Sequence, residues 1–143
     1  VITNNLLIKK SLFNHIKFEE NFNTYGHEDT LFAFALKSKQ TEVQHINNPV
    51  IHKDIDDNSA FIEKTEMALK NLKTIFDAKL IPSKDIRLLR AYENLNSKKL
   101  KGVFTLFFSQ FQKIIRKRLI SDKNNLFLFK IYKLGYFCKI NRR

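Results

Sequence analysis

The apolar side chains Phe61, Ile62, Ala68, Leu69, Leu72, Ile75 and Phe76 recur at the spacing of one face of an α-helix. The polar stretch 54–59 precedes them, with Asn58 or Ser59 as the cap, and the pattern runs to about residue 80. Three later segments also read as helical. Pro82-Ser83 opens one, with Ser83 as cap, Asp85 in the first turn and Ile86, Leu89 and Tyr92 facing inward. Helical patterns near 103–120 and 126–140 are the others. An apolar fraction of 43% with 13% aromatics is enough to bury a core, which argues against a disordered chain.

The first part is more mixed. Residues 3–10 combine β-branched and aliphatic side chains in a short run that reads as a buried strand, and 11–16 as one helical turn. Turn-forming Asn and Gly with spaced aromatics follow between Phe18 and Gly26. From Glu28 the pattern is helical, with Leu31, Phe32, Ala35 and Leu36 on one face. Residues 42–47 and 50–52 read as two short strands interrupted by Asn48-Pro49. The expected class is therefore α+β and mainly helical, with short strands followed by several helices.

Charge and cysteine content narrow the function classes. The net charge of +12 is lopsided: residues 1–66 carry 7 Lys/Arg against 10 Asp/Glu, and residues 67–143 carry 19 against 4. The front half is thus not basic. The single cysteine, Cys138, excludes an internal disulfide and a multi-cysteine zinc site, which fits a reducing compartment with cytosol as default. No apolar run approaches the roughly 18–20 residues of a membrane-spanning helix. The first residues carry neither an initiator Met nor a basic leader, so the sequence reads as starting mid-protein.

Chemistry concentrates in Tyr25-Gly26-His27-Glu28-Asp29-Thr30-Leu31-Phe32, where an aromatic-Gly turn delivers two adjacent carboxylates at a helix start. A carboxylate held there can take a proton from an acceptor hydroxyl. Glu28 and Asp29 equally suit a purely electrostatic role at the helix N-terminus, worth about 0.3–1 kcal/mol.

These residues form part of a longer pattern. Asn5-Leu6-Leu7-Ile8-Lys9-Lys10, then Ile16-Lys17-Phe18-Glu19-Glu20-Asn21-Phe22, then the stretch from Tyr25 to Phe32, then Ile46-Asn47-Asn48-Pro49-Val50-Ile51-His52, occur in one order. Together they resemble the C-terminal catalytic portion of bacterial family 2 (GT-A type) glycosyltransferases that make surface polysaccharide. The resemblance covers about half the chain. It implies that 1–80 is the C-terminal, acceptor-side part of a GT-A type α/β catalytic domain and 81–143 a basic aromatic helical tail. It implies Asp29 as general base, with Glu28, His27, Tyr25 and Gly26 on the acceptor, and His52 as a ligand of a divalent metal, Mn²⁺ or Mg²⁺. The implied partners are a nucleotide-sugar donor and a saccharide or lipid-linked acceptor. The donor-side Asp-x-Asp has no counterpart in a matching context. Asp54-Ile55-Asp56-Asp57 has the letters but follows the acceptor motif, and reads as a solvated loop. The metal would thus be held mainly by a donor-binding half not contained in this sequence, and the 143-residue chain alone is expected to transfer no sugar. The competing expectation is a non-catalytic helical adaptor or interaction module, its Glu28-Asp29 serving only as a cap.

The tail interleaves Val103, Phe104, Leu106, Phe107, Phe111, Ile114 and Ile115 with Lys113, Arg116, Lys117 and Arg118, and repeats the theme from Phe127 to Lys139. Such a helix can pack its aromatics on protein or lie in an anionic membrane surface. Nucleic acid is the least favoured partner, because the aromatics sit at helical core spacing rather than on a strand platform. The expected location is cytoplasmic, including the inner face of the cytoplasmic membrane.

Overall fold

The computed structural model describes residues 5–18, 26–51, 53, 55–121 and 125–142. Six α-helices occur among them: α1 (Lys10–His15), α2 (Glu28–Ser38), α3 (Asn58–Asp77), α4 (Arg87–Ser97), α5 (Lys101–Ile120) and α6 (Leu126–Ile140), and a 3-10 turn at Ser83–Asp85 precedes α4.

α3 is the stripe helix. Its cap is Asp57 rather than Asn58 or Ser59: the Asp57 carboxylate accepts from the Ala60 N–H at 2.7 Å. Asn58 instead donates its side-chain amide to the Ile120 carbonyl at 3.2 Å, tying the start of α3 to the end of α5. Ile62, Leu69, Leu72 and Ile75 are buried, whereas Phe61 is exposed. The helix stops at Asp77 because Lys79 turns left-handed (φ 54°), and the Leu80 and Lys79 N–H groups close on the carbonyls of Ile75 and Phe76. Gln40 after α2 and Lys99 after α4 make the same closure at φ 52° and 59°. α4 begins at Arg87, later than the Pro82-Ser83 signal, and the Ser83 hydroxyl bonds Glu93 at 2.7 Å instead of capping.

α6 forms the centre of the bundle, antiparallel to α5 and parallel to α3. Cys138 bonding Thr105, Gly135 lying against the Phe108 ring and Tyr132 bonding Gln112 set the first orientation. Phe61–Phe129 (5.5 Å) and Phe76–Phe137 (6.1 Å) set the second. One buried cluster joins Leu69 and Leu72 with Leu89, Tyr92, Phe137 and Cys138, so residues on either side of position 80 share a core. Tyr92 meets Phe137 edge-on at 5.1 Å. A second cluster joins Ile62, Phe108, Leu119 and Tyr132.

A satellite cluster of Ile16, Phe32 and Leu36, backed by Leu6, Ile8, Phe13 and Phe18, fastens the N-terminal segment to α2. Phe18 stacks on Phe32 with centroids 4.3 Å apart.

The expected strands are absent among the described residues, which corrects the α+β expectation to a helical one. Residues 6–9 and 41–51 are in no regular element. Strands need a neighbour to complete their backbone ladder, and a lone segment has none. Ile46 and Ile51 are 76% and 91% exposed, so these apolar side chains find no layer to cover them. Asn5, just before the first of these segments, meets the second through its side chain: Asn5 Nδ2 donates to the Asn48 carbonyl at 2.8 Å and Asn48 Nδ2 to Asn5 Oδ1 at 3.3 Å. Residues 3, 4 and 52 of the expected strands lie outside the described residues. The helical turn expected at 11–16 forms as α1. No helix among the described residues is long and apolar enough to cross a membrane.

Candidate active site

The acidic pair sits where a left-handed turn becomes a helix. Gly26 has φ 110° and His27 φ 74°, and Glu28 is the first residue of α2. Both Glu28 carboxylate oxygens accept from the Gly26 N–H at 3.0 Å, so this side chain folds back over the turn. The opposite side of the turn rests on α3: the Asn71 amide donates to the Gly26 carbonyl at 3.2 Å, and the Gly26 Cα lies against Ala68.

Successive helical side chains diverge by about 100°, so Glu28 and Asp29 point differently. Asp29 is exposed, accepting from the Thr30 hydroxyl at 3.4 Å, while Glu28 is half-buried. His27 Nδ1 stands 3.3 Å from the Thr30 hydroxyl. Burial holds the His27 pKa below its ordinary value of 6.5. Asp29 and Glu28 oppose that shift, and the Lys133 ammonium on α6 adds to it. Burial and neighbouring Lys130 in turn lower the Lys133 pKa, and its ammonium lies 4.6 Å from the Phe129 ring centroid.

Gly26, His27, Glu28 and Asp29 are thus brought together on one clamped turn. Tyr25 and His52 lie outside the described residues. Asp56 pairs with Lys64 at 2.7 Å and Asp57 caps α3, while Asp54 lies outside the described residues. Among the described residues no three His, Cys, Asp or Glu side chains converge as a metal site. These residues therefore do not fit a complete divalent-metal site. Open depressions lie along α2 beside Leu31 and Phe34 and near the end of α5, and neither of these is lined by Glu28 or Asp29.

Sequence reasoning missed the residues that hold the turn. Asn71 was detectable as a polar side chain between Leu69 and Leu72 on the apolar stripe, and it is buried. Lys133 gave no signal, because only the bundle carries α6 to residue 27. A polar network also crosses the bundle: the Tyr132 hydroxyl donates to Glu66, which Arg116 approaches at 3.6 Å while bonding Glu63 at 3.2 Å. Burial, then the Glu66 carboxylate, push the Tyr132 phenol far above its ordinary pKa. No protein-family model, curated protein or solved structure matches this chain.

Proposed function

We propose that this chain is the acceptor-side portion of an inverting glycosyltransferase of the family 2 type, with Asp29 as general base. The observation that carries the reading is the division of labour in the acidic pair. Glu28 stabilises the turn through Gly26, whose carbonyl is bonded by Asn71 of α3, and the adjacent Asp29 is left exposed on the first turn of α2 that follows. Such a carboxylate is held in position without being consumed by the fold.

In this reading an acceptor hydroxyl passes its proton to an Asp29 oxygen as its own oxygen bonds the anomeric carbon. The bond from that carbon to the donor phosphate breaks, and the nucleoside diphosphate leaves with the electron pair. A carboxylate offers about four lone-pair sites. Glu28 therefore retains capacity to accept from the acceptor sugar while bonded to Gly26, and His27 lines the same turn. Donor binding and the divalent metal belong to a nucleotide-binding half. The unladdered segments 6–9 and 41–51, with Ile46 and Ile51 uncovered, support that division, because a sheet from such a half would pair with them.

Asp29→Asn tests the reading in the intact enzyme, with nucleoside diphosphate release from nucleotide sugars as the assay. Turnover is expected to fall by orders of magnitude with little loss of stability, at most about 1 kcal/mol. A near-normal rate would move the base elsewhere. The 143-residue chain alone is expected to release none.

A second reading, a non-catalytic helical adaptor, draws on Glu28 bonding Gly26 with both oxygens, which is what a structural cap does. An upstream α/β segment bearing Asp-x-Asp in the encoding gene favours the transferase, and its absence the adaptor.

A further inference from the structure

α5 has two apolar sides and the bundle uses only one. Thr105, Phe108 and Leu119 turn inward and are buried. On the other side Val103, Phe107 and Ile114 are 70%, 59% and 65% exposed, at i, i+4 and i+11 along one face. Leu100, Leu106 and Phe111 flank them and are exposed as well, with the Phe107 and Phe111 rings 4.7 Å apart. Scattered surface hydrophobes are ordinary, but a contiguous helical face of them marks a contact surface.

The charges that α5 itself carries have one sign. Lys113, Lys117 and Arg118 follow along the last turns of α5. Lys113, Arg116, Lys117 and Ile120 line an open depression of about 320 Å³. Arg116 shares its charge with Glu63 and Glu66. α5 and α6 contain no acidic residue, and Asp122 is the only one after Glu93 in the sequence.

We propose that this face of α5 docks on an anionic lipid bilayer. Val103, Phe107 and Ile114 enter the boundary between headgroups and acyl chains, and Lys113 and Lys117 meet lipid phosphates. An α-helix of 20 residues is about 30 Å long, and this one lies in the plane of the interface. Charge complementarity selects this occupant. A second copy of the same face would bring the like charges of two α5 helices together, and α5 carries no carboxylate to offset them. A nucleic acid would place phosphates over the centre of the face, where the side chains are hydrocarbon. The proposal does not depend on how the turn at residues 26–29 functions.

The chain contains no Trp, so a single introduced indole reports on its own surroundings. Phe107→Trp in the full chain is titrated with phosphatidylglycerol–phosphatidylcholine vesicles and with phosphatidylcholine vesicles, and Val50→Trp serves as a remote exposed control. The expected result is a blue shift of the Phe107→Trp emission with the anionic vesicles only, none for Val50→Trp, and loss of the shift on adding Ile114→Glu. Lys113→Glu and Lys117→Glu should each weaken binding at least about fivefold at low salt. Circular dichroism checks that the helices persist, and Val103→Trp replaces Phe107→Trp if that variant misfolds. No shift with anionic vesicles, an equal shift with neutral ones, or a lipid-free shift that grows with protein concentration alongside faster sedimentation would each overturn the proposal, the last by assigning the face to a second copy.

Discussion

Gly26 and Ala68 approach so closely that a Cβ on the glycine would lie 2.5 Å from the alanine Cβ and 2.9 Å from its Cα. Backbone on α3 cannot retreat as a side-chain tip can, and φ 110° is costly for any residue with a Cβ. Gly26→Ala should therefore destabilise the chain by about 2–4 kcal/mol, measured by urea unfolding. Ala68→Gly in the same background should recover part of the loss, since it removes one of the clashing carbons. An unaffected Gly26→Ala variant would mean that the turn does not sit on α3.

A second close approach lies within the bundle. A Cβ on Gly135 of α6 would meet the buried Phe108 ring at 2.2 Å. In an exposed helix Gly→Ala is worth about 1 kcal/mol of added stability. Here Gly135→Ala should instead cost about 1–3 kcal/mol, and Gly102→Ala, whose Cβ meets nothing, should stabilise. The opposite order of the two melting temperatures would contradict the α5–α6 packing.

His27 gives the turn a pH dependence. Its folded pKa lies below 6.5, so the unfolded chain binds the proton more tightly than the folded one. The stability this provides is full above 6.5 and is lost as pH falls through the folded value. His27→Asn keeps a side chain that tolerates a left-handed backbone and cannot titrate. Its unfolding midpoint should fall less steeply than that of the parent chain on acidification below 6.5. Parallel curves would show that His27 is not buried in the folded state.

Cys138 is fully buried, and burial pushes its thiol up to about 11. An inert, protonated thiol should react with an aromatic disulfide reagent only when the core opens. Labelling at neutral pH is expected to be orders of magnitude slower than in denaturant and to track the unfolding rate. Rapid native labelling would place Cys138 outside the core.

The three left-handed helix ends offer a gain. Lys99→Gly removes a Cβ from a position at φ 59°, and the Lys99 side chain contributes no helix cap through its own atoms. A rise in stability of about 0.5–1 kcal/mol is expected, after the added freedom of glycine in the unfolded chain is offset. A fall would mean that the α4 end is not left-handed.

The amino-acid sequence already marked the helices. The stripe on α3, the inward Leu89 and Tyr92 of α4, and the last two helices follow from local periodicity, which a chain displays whether or not it is folded. It also located the acidic turn, because Gly26 before Glu28-Asp29 is a local signal. Helix ends were less legible: Gln40, Lys79 and Lys99 occupy left-handed positions where glycine would have announced a stop. Tertiary structure decided the rest, since each remaining feature joins residues far apart in sequence. The 41–51 segment has the composition of strands, yet a strand exists only with a neighbour to bond. Asn71 and Ala68 hold Gly26, Lys133 approaches His27, and one face of α5 is buried while another is left bare, only because α3, α5 and α6 pack together. Periodicity marks which faces are apolar, and only the packed bundle determines which of them remain open for a partner.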